Sequence, residues 1–336
     1  MVLSIDISEN RICAVEGQAT AGKITVLRTA ELAIDSNAVI DDGMVKNQVH
    51  LSAVLNRLRD VGSFLSKRAI VTFTSSTILL RRLELPNAKP KEITRMARNE
   101  MLQIVGNAED YVYDCSSIAE GVQSDICVVW AYAVPQDMVE GYLQALSGAG
   151  FKPMALDVHA NSIEKLFLHA SVNGGIPGRA LLFVELEEVG LDIHLFAGGE
   201  RAFSRFSPVS ASELGILLKN AGLYTQENAP LGGVNLADKA IDNDSILCDA
   251  TQRYFASLAE ELRKIIQFQQ RRNASDPVSG IYIYGGLAHV NGMDVGLGEA
   301  LGLPVEVVKT VSNVNAPAGF APANYINALG ALIRVR

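Results

Sequence analysis

Two carboxylates in this 336-residue sequence sit near the ends of short apolar strands, where a backbone can hold them toward a cleft. Asp6 lies in Leu3-Ser4-Ile5-Asp6-Ile7 and Glu185 in Val184-Glu185-Leu186; each is followed by a polar turn and a second apolar strand. Glu187 and Glu188 continue the second turn. Glu185, Glu187 and Glu188 together have the make-up of paired catalytic carboxylates, although a solvated turn accounts for them more simply. Gly285 and Gly286 follow an apolar strand, and a glycine pair there lets backbone approach a ligand with no side chain in the way. Glu261 and Lys264 fall one turn apart on one side of a long helical pattern. The histidines, His50, His159, His169, His194 and His289, show no metal-ligand spacing, and His194 reads as structural. Neither a Gly-x-Ser-x-Gly elbow nor a Walker A loop is present.

What must position these groups is a repeated strand-turn-strand unit. Residues 3–15 and 184–199 share its layout, which points to two related halves facing a common cleft. Residues 23–33 read as a third strand beside the first hairpin. Leu51, Val54, Leu55, Leu58, Val61 and Leu65 mark one face of a helix, and 69–74 and 77–85 read as strands. A helix over 90–105 opens on Pro90, whose missing N–H is harmless in a first turn. Its stripe of Ile93, Met96, Ala97, Met101 and Ile104 is interrupted by Glu100, and a carboxylate inside an apolar face needs a partner or an edge. Strands at 111–117 and 126–134 and a helix through Val139, Tyr142, Leu143 and Leu146 complete an inserted α+β subdomain over 82–154. A strand at 153–158 leads into a helix for which Asn161-Ser162-Ile163-Glu164 looks like a capping box. The second half holds helices near 214–221, 245–272 and 293–301 and strands near 281–288 and 305–308. Strand, glycine turn, helix and strand in that order indicate an α/β architecture.

Composition narrows the function. The chain is 49% hydrophobic, enough for about two well-packed domains. Its net charge of −8 argues against a nucleic-acid-binding surface. Cys13, Cys115, Cys127 and Cys248 lie far apart with no CxxC spacing, which suits a reducing cytoplasm rather than a disulfide framework or zinc site. The N-terminus lacks the pattern of a signal peptide, no window reaches the ~18–20 apolar residues of a membrane span, and 328–336 reads as a packed terminal helix.

In this setting the sequence resembles the actin-like ATPase superfamily and, within it, the PilM family of type IV pilus assembly. The resemblance rests on Asp42-Gly43 with Lys46, on Arg81-Arg82-Leu83-Glu84-Leu85-Pro86, and on Lys91-Glu92-Ile93 with Asn99-Glu100-Met101. It continues through Leu156-Asp157-Val158-His159-Ala160-Asn161-Ser162, Glu261-Leu262 with Lys264, Gly285-Gly286, and Tyr325-Ile326-Asn327-Ala328-Leu329-Gly330-Ala331-Leu332. These occur in the family's order over almost the whole chain. The resemblance implies an actin-like, ribonuclease H-like fold of two lobes with an inserted small α+β subdomain. The first lobe would take 1–81, 155–180 and 310–336, the subdomain 82–154, and the second lobe 181–309. Asp6, Ser8 and Glu185 would then face the phosphates of ATP with magnesium, Gly285 and Gly286 the adenosine, and Glu261 and Lys264 the ribose.

Departures from the family pattern bear on that site. The phosphate turns read Asp-Ile-Gly in the family; here they are Asp6-Ile7-Ser8 and Glu185-Leu186-Glu187. A glycine pair after the family's arginine is replaced by Val209-Ser210 after Arg205. At an effective dielectric of ~20, a carboxylate ~4 Å from a phosphate charge repels it by about 4 kcal/mol. Weak or absent ATP binding without turnover is therefore expected, with no catalytic residue. By resemblance the function is a cytoplasmic scaffold at the inner face of the inner membrane. It would be held there through the N-terminal peptide of a PilN-like membrane protein, and self-association is a further expectation. The peptide site is expected where the subdomain meets the first lobe, with Arg82 and Glu100 as contacts. An active ATPase or small-substrate kinase, and an FtsA-like filament former, are the alternatives.

Overall fold

The computed structural model describes residues 1–20, 22–34, 38–105, 108–117, 125–168, 170–175, 179–223 and 234–334; His169, the loop positions 176–178 and the terminal 335–336 lie outside them. The chain begins with β1 (Val2–Ile7), β2 (Arg11–Thr20), β3 (Lys23–Ala33), the short β4 (Ile40–Asp41) and β5 (Met44–Val45), α1 (Gln48–Gly62) and β6 (Arg68–Phe73). Next come β7 (Leu79–Pro86), α2 (Pro90–Val105), β8 (Tyr111–Ser117), β9 (Ile126–Pro135), α3 (Gln136–Gly148), β10 (Lys152–Val158) and α4 (His159–Phe167). Then follow β11 (Leu181–Leu186), β12 (Leu191–Ala197), β13 (Glu200–Ser207), α5 (Ser212–Asn220), α6 (Lys239–Asn243) and α7 (Ser245–Arg272). The last elements are β14 (Gly280–Tyr284), α8 (Met293–Leu301), β15 (Val305–Val307), β16 (Val314–Asn315) and α9 (Ile326–Leu332).

Two sheets repeat one topology. The first is ordered β10-β6-β1-β2-β3-β16 and the second β15-β14-β11-β12-β13. In each, the leading strand of the hairpin pairs antiparallel with the next strand and parallel with a later one. The turns close alike: the Ser8 N–H donates to Arg11 O at 2.9 Å, and the Glu187 N–H to Gly190 O at 3.0 Å. Equivalent register sets Asp6 opposite Cys13 and Glu185 opposite Asp192. Both faces of these strands are covered, so they read as near-continuous apolar runs, and any charge within them is buried.

Apolar apart from Asn327, α9 lies buried between the lobes and packs on α4. Gly330 permits that approach: a Cβ there would stand 1.9 Å from the Ser162 carbonyl oxygen. A third sheet, ordered β7-β9-β8, forms the subdomain. Alternation along β9 turns Val129, Ala131 and Ala133 to α2, whereas Trp130 and Tyr132 pack on the other face with Val158.

Two expectations are corrected. Helix α3, assigned to the subdomain, buries Met138, Tyr142, Ala145 and Leu146 in the first lobe's core against α1; β10, from Lys152, likewise pairs with β6 of the first sheet. An apolar helix face announces burial but not which neighbour provides it. The capping box is absent too. Helix α4 begins at His159 with no side-chain cap, and the Asn161 amide donates to Asp157 Oδ1 at 2.7 Å.

Candidate functional site

Three strands and one helix end converge between the lobes. Asp6 comes from β1, Glu185 from β11, Asp192 from β12, and His159 is the first residue of α4. All four are at most 5% exposed. Nε2 of His159 lies 2.8 Å from Asp6 Oδ1. Its Nδ1 lies 2.9 Å from Glu185 Oε2 and 3.6 Å from Asp192 Oδ2, with no well-directed hydrogen bond to either. Asn327 of α9 donates to Glu185 Oε1 at 2.7 Å and reaches Asp6 Oδ2 at 3.4 Å. Asp6 and Glu185 thus approach the same two side chains from opposite lobes.

Electrostatics follow from burial. Desolvation works against a charged His159, but the neighbouring Glu185 and Asp6 outweigh it and hold the imidazole well above its ordinary value. Burial pushes the Glu185 carboxyl up to about 7 against the opposing pull of His159. Asp192 stays below the usual carboxylate range because His194 and His159 overcome its burial. Burial pushes His194 down to about 4, and its Nδ1 pairs with Ser204 Oγ at 2.8 Å.

The acidic turn is not solvated, contrary to expectation. Glu187 is almost fully buried and forms an ion pair with Arg11 across the cleft. Its Oε1 also accepts the Gly286 N–H at 2.9 Å. Asn10 donates to Glu188 Oε2 at 2.9 Å. Gly285 has φ +92°, and a Cβ there would stand 2.8 Å from Leu186 O; the turn therefore needs glycine for contact with this chain's own hairpin. A carboxylate and a guanidinium of the protein already hold the glycine turn. What remains beside them, lined by Ser8, Glu9, Asn10, Glu185, Glu187 and Asp192, is a cleft of about 40 Å³. Pockets for drug-sized ligands run to roughly 300–1,000 Å³. That space alone does not hold magnesium-ATP, and a cavity of about 300 Å³ adjoins it along Thr74, His159, Asp192 and Phe206.

Not every expected residue joins the site. Among the described residues, Glu261 pairs with Lys264 at 2.5 Å and with Arg205 at 3.6 Å, and no hydrogen bond or ion pair ties either member to Glu185 or the glycine turn. Arg82 pairs with Glu84 at 3.1 Å and Glu200 at 3.8 Å, not with Glu100. Glu100 is exposed rather than set into the apolar face of α2, which buries Ala97 and Met101 only. His159, Arg11, Asp192 and Asn327 went unrecognised as site residues. For Arg11 a signal existed: a guanidinium inside an apolar strand requires a buried partner.

A second junction links all three units. Arg201 of β13, fully buried, donates to Glu164 Oε2 of α4 at 3.1 and 2.8 Å and to the Tyr132 hydroxyl of β9 at 2.8 Å. Its guanidinium stands 4.2 Å from the Trp130 ring centroid. Burial pushes the Tyr132 phenol up to about 12.

Paired sheets of one topology, a buried carboxylate on each central strand and a glycine turn opposite define an actin-like fold with an inserted subdomain. A sequence profile described as type IV pilus assembly protein PilM matches residues 4–325, and the chain belongs to that family. No curated protein matches the sequence significantly. Among solved structures, the PilM–PilN type IV pilus biogenesis complex superposes with a TM-score of 0.77 at 19% identity, covering 98% of this chain and 97% of that one. The ethanolamine utilization protein EutJ from Carboxydothermus hydrogenoformans gives 0.54 at 12% identity, covering 98% and 88%. MreB 5 of Spiroplasma citri bound to AMPPNP gives 0.51 at 10% identity, covering 98% and 94%. No helix among the described residues is long and apolar enough to cross a membrane.

Proposed function

We propose that this protein is a docking component of a type IV pilus machine, held at the inner face of the inner membrane by the N-terminal peptide of a PilN-like protein, without nucleotide turnover. The observation that carries the reading is a contrast. The glycine-turn end of the inter-lobe cleft is occupied by Glu187 and Arg11, while a groove of about 350 Å³ stays open between the subdomain and the first lobe. Val112, Asp114 and Ser116, alternate residues of β8, line it with Val134 of β9, Val139 and Leu143 of α3, and Leu156 and Asp157 of β10. Val112 and Leu143 are large apolar side chains left exposed. Apolar pockets beside the Asp114 carboxylate suit an extended peptide that carries apolar residues and a basic one, Asp157 being already paired with Lys165.

On this reading the peptide binds a different part of the junction from Arg82 and Glu100. Val134 shares the face of β9 that bears Trp130 and Tyr132, opposite the face covered by α2. Leu143→Asp is expected to weaken binding of the partner's N-terminal peptide at least tenfold by fluorescence anisotropy, and Glu100→Ala to leave it unchanged. Equal binding by wild type and a folded Leu143→Asp protein would move the site elsewhere. With magnesium and ATP, phosphate release is expected below the ~1 s⁻¹ low end of ordinary enzymes. Faster release, abolished by Asp6→Ala, would restore the ATPase reading.

A further inference from the structure

We infer that His159, Glu185 and Asp192 form a binding site for one divalent first-row transition-metal ion, of the zinc or manganese class, which staples the two lobes together without nucleotide. One donor atom from each of the three lies within 4.8 Å of the others, all in buried side chains. Three buried carboxylates, counting Asp6, face a single imidazole, and buried charges are ordinarily paired or bound to a metal.

The orphaned nitrogen points to the ion's place. Nδ1 of His159 is buried and makes no well-directed hydrogen bond, although Glu185 Oε2 lies 2.9 Å and Asp192 Oδ2 3.6 Å from it. Tetrahedral metal–ligand bonds of about 2.0–2.1 Å set neighbouring donors roughly 3.3 Å apart. The two separations from Nδ1, 2.9 and 3.6 Å, bracket that value. Insertion of an ion then requires the two carboxylates to turn inward about the imidazole, since the three donor atoms are spread over as much as 4.8 Å.

The surrounding shell is built for the same purpose. Nε2 of His159, 2.8 Å from Asp6 Oδ1, completes a carboxylate–imidazole–metal arrangement that fixes the ring and its tautomer. Asn327 holds the second oxygen of Glu185, leaving Oε2 turned to Nδ1. The cleft borders all three ligands, so a water fills the fourth position. The imidazole donor favours transition ions over magnesium, which takes oxygen ligands in octahedral geometry. Spacing along the chain could not disclose the site, because its ligands come from three separate elements.

The test uses the untagged full chain, stripped with chelator and re-equilibrated separately with Zn²⁺, Mn²⁺ and Co²⁺. One equivalent of zinc or manganese by elemental analysis is expected, with visible absorption from a low-symmetry Co²⁺ site. A rise in Tm on adding the ion is expected as well. Asp192→Asn, which keeps shape while removing charge, should weaken binding at least tenfold, and Asp6→Asn, outside the ligand set, by about 10- to 100-fold. Should Asp192→Asn fail to fold, stoichiometry and the Co²⁺ spectrum of wild type still decide. Less than a tenth of an equivalent of every ion in wild type would overturn the assignment. So would equal affinity in wild type and folded Asp192→Asn, which would mark surface binding.

Discussion

Arg201→Met is expected to destabilise the protein by about 3–5 kcal/mol, the range found when one partner of a buried ion pair is removed. The methionine recovers much of the packing against Trp130 but leaves the Glu164 carboxylate buried without its cation. Glu164 already lies above the ordinary carboxylate range because burial outweighs Arg201, so it has little tolerance for losing that partner. A second substitution tests this cause. Arg201→Met with Glu164→Leu removes both charges and is expected to regain most of the loss, as apolar replacements of buried pairs commonly do. Urea unfolding of the two variants measures the difference. A single variant within ~1 kcal/mol of wild type would mean that water reaches the pair.

Arg11→Ala is expected to have a comparable effect at the cleft. The guanidinium lies 2% exposed and is held by Glu187, by Cys13 Sγ at 2.8 Å and by Glu31 at 3.5 Å. Its removal strands Glu187 against the Gly286 N–H with no counter-charge. Stability should fall by about 3–5 kcal/mol, and Tm by on the order of 10 °C. Arg11→Ala with Glu187→Gly removes both charges and empties the turn, so scanning calorimetry should show the double variant above the single one. If instead the double variant melts lower still, Glu187 is held mainly by Gly286 and the ion pair is secondary.

These predictions turn on contacts that were unevenly legible in the sequence. The paired hairpins were readable because alternation and turn residues are local. The glycine turn at Gly285 was readable for the same reason, though not what it receives. His159 stood within a recognisable run, yet its meaning depends on Asp6, 153 positions away. Arg11 and Glu187 are 176 positions apart, and each alone resembles a surface charge. Glu100 misled in the opposite direction. Helical projection set it on the apolar stripe, but α2 rests on its sheet through a narrower face, which leaves Ile104 exposed as well.

The pairing of β16 with β3 bears on how the chain acquires its shape. Ile24 and Thr25 lie beside Val314 and Asn315, about 290 residues further along. The second sheet, from β11 to β15, is one uninterrupted stretch enclosed within that loop. Closing a flexible loop of such length costs entropy before any contact rewards it, and non-local pairing is correspondingly slow. A nested order of assembly avoids that penalty. The enclosed stretch folds on its own contacts, shortens the effective loop, and brings β16 and α9 back to an outer sheet that has been waiting for its edge. On this route the Asp6–His159–Glu185 junction is expected to form last, because it needs both sheets in place.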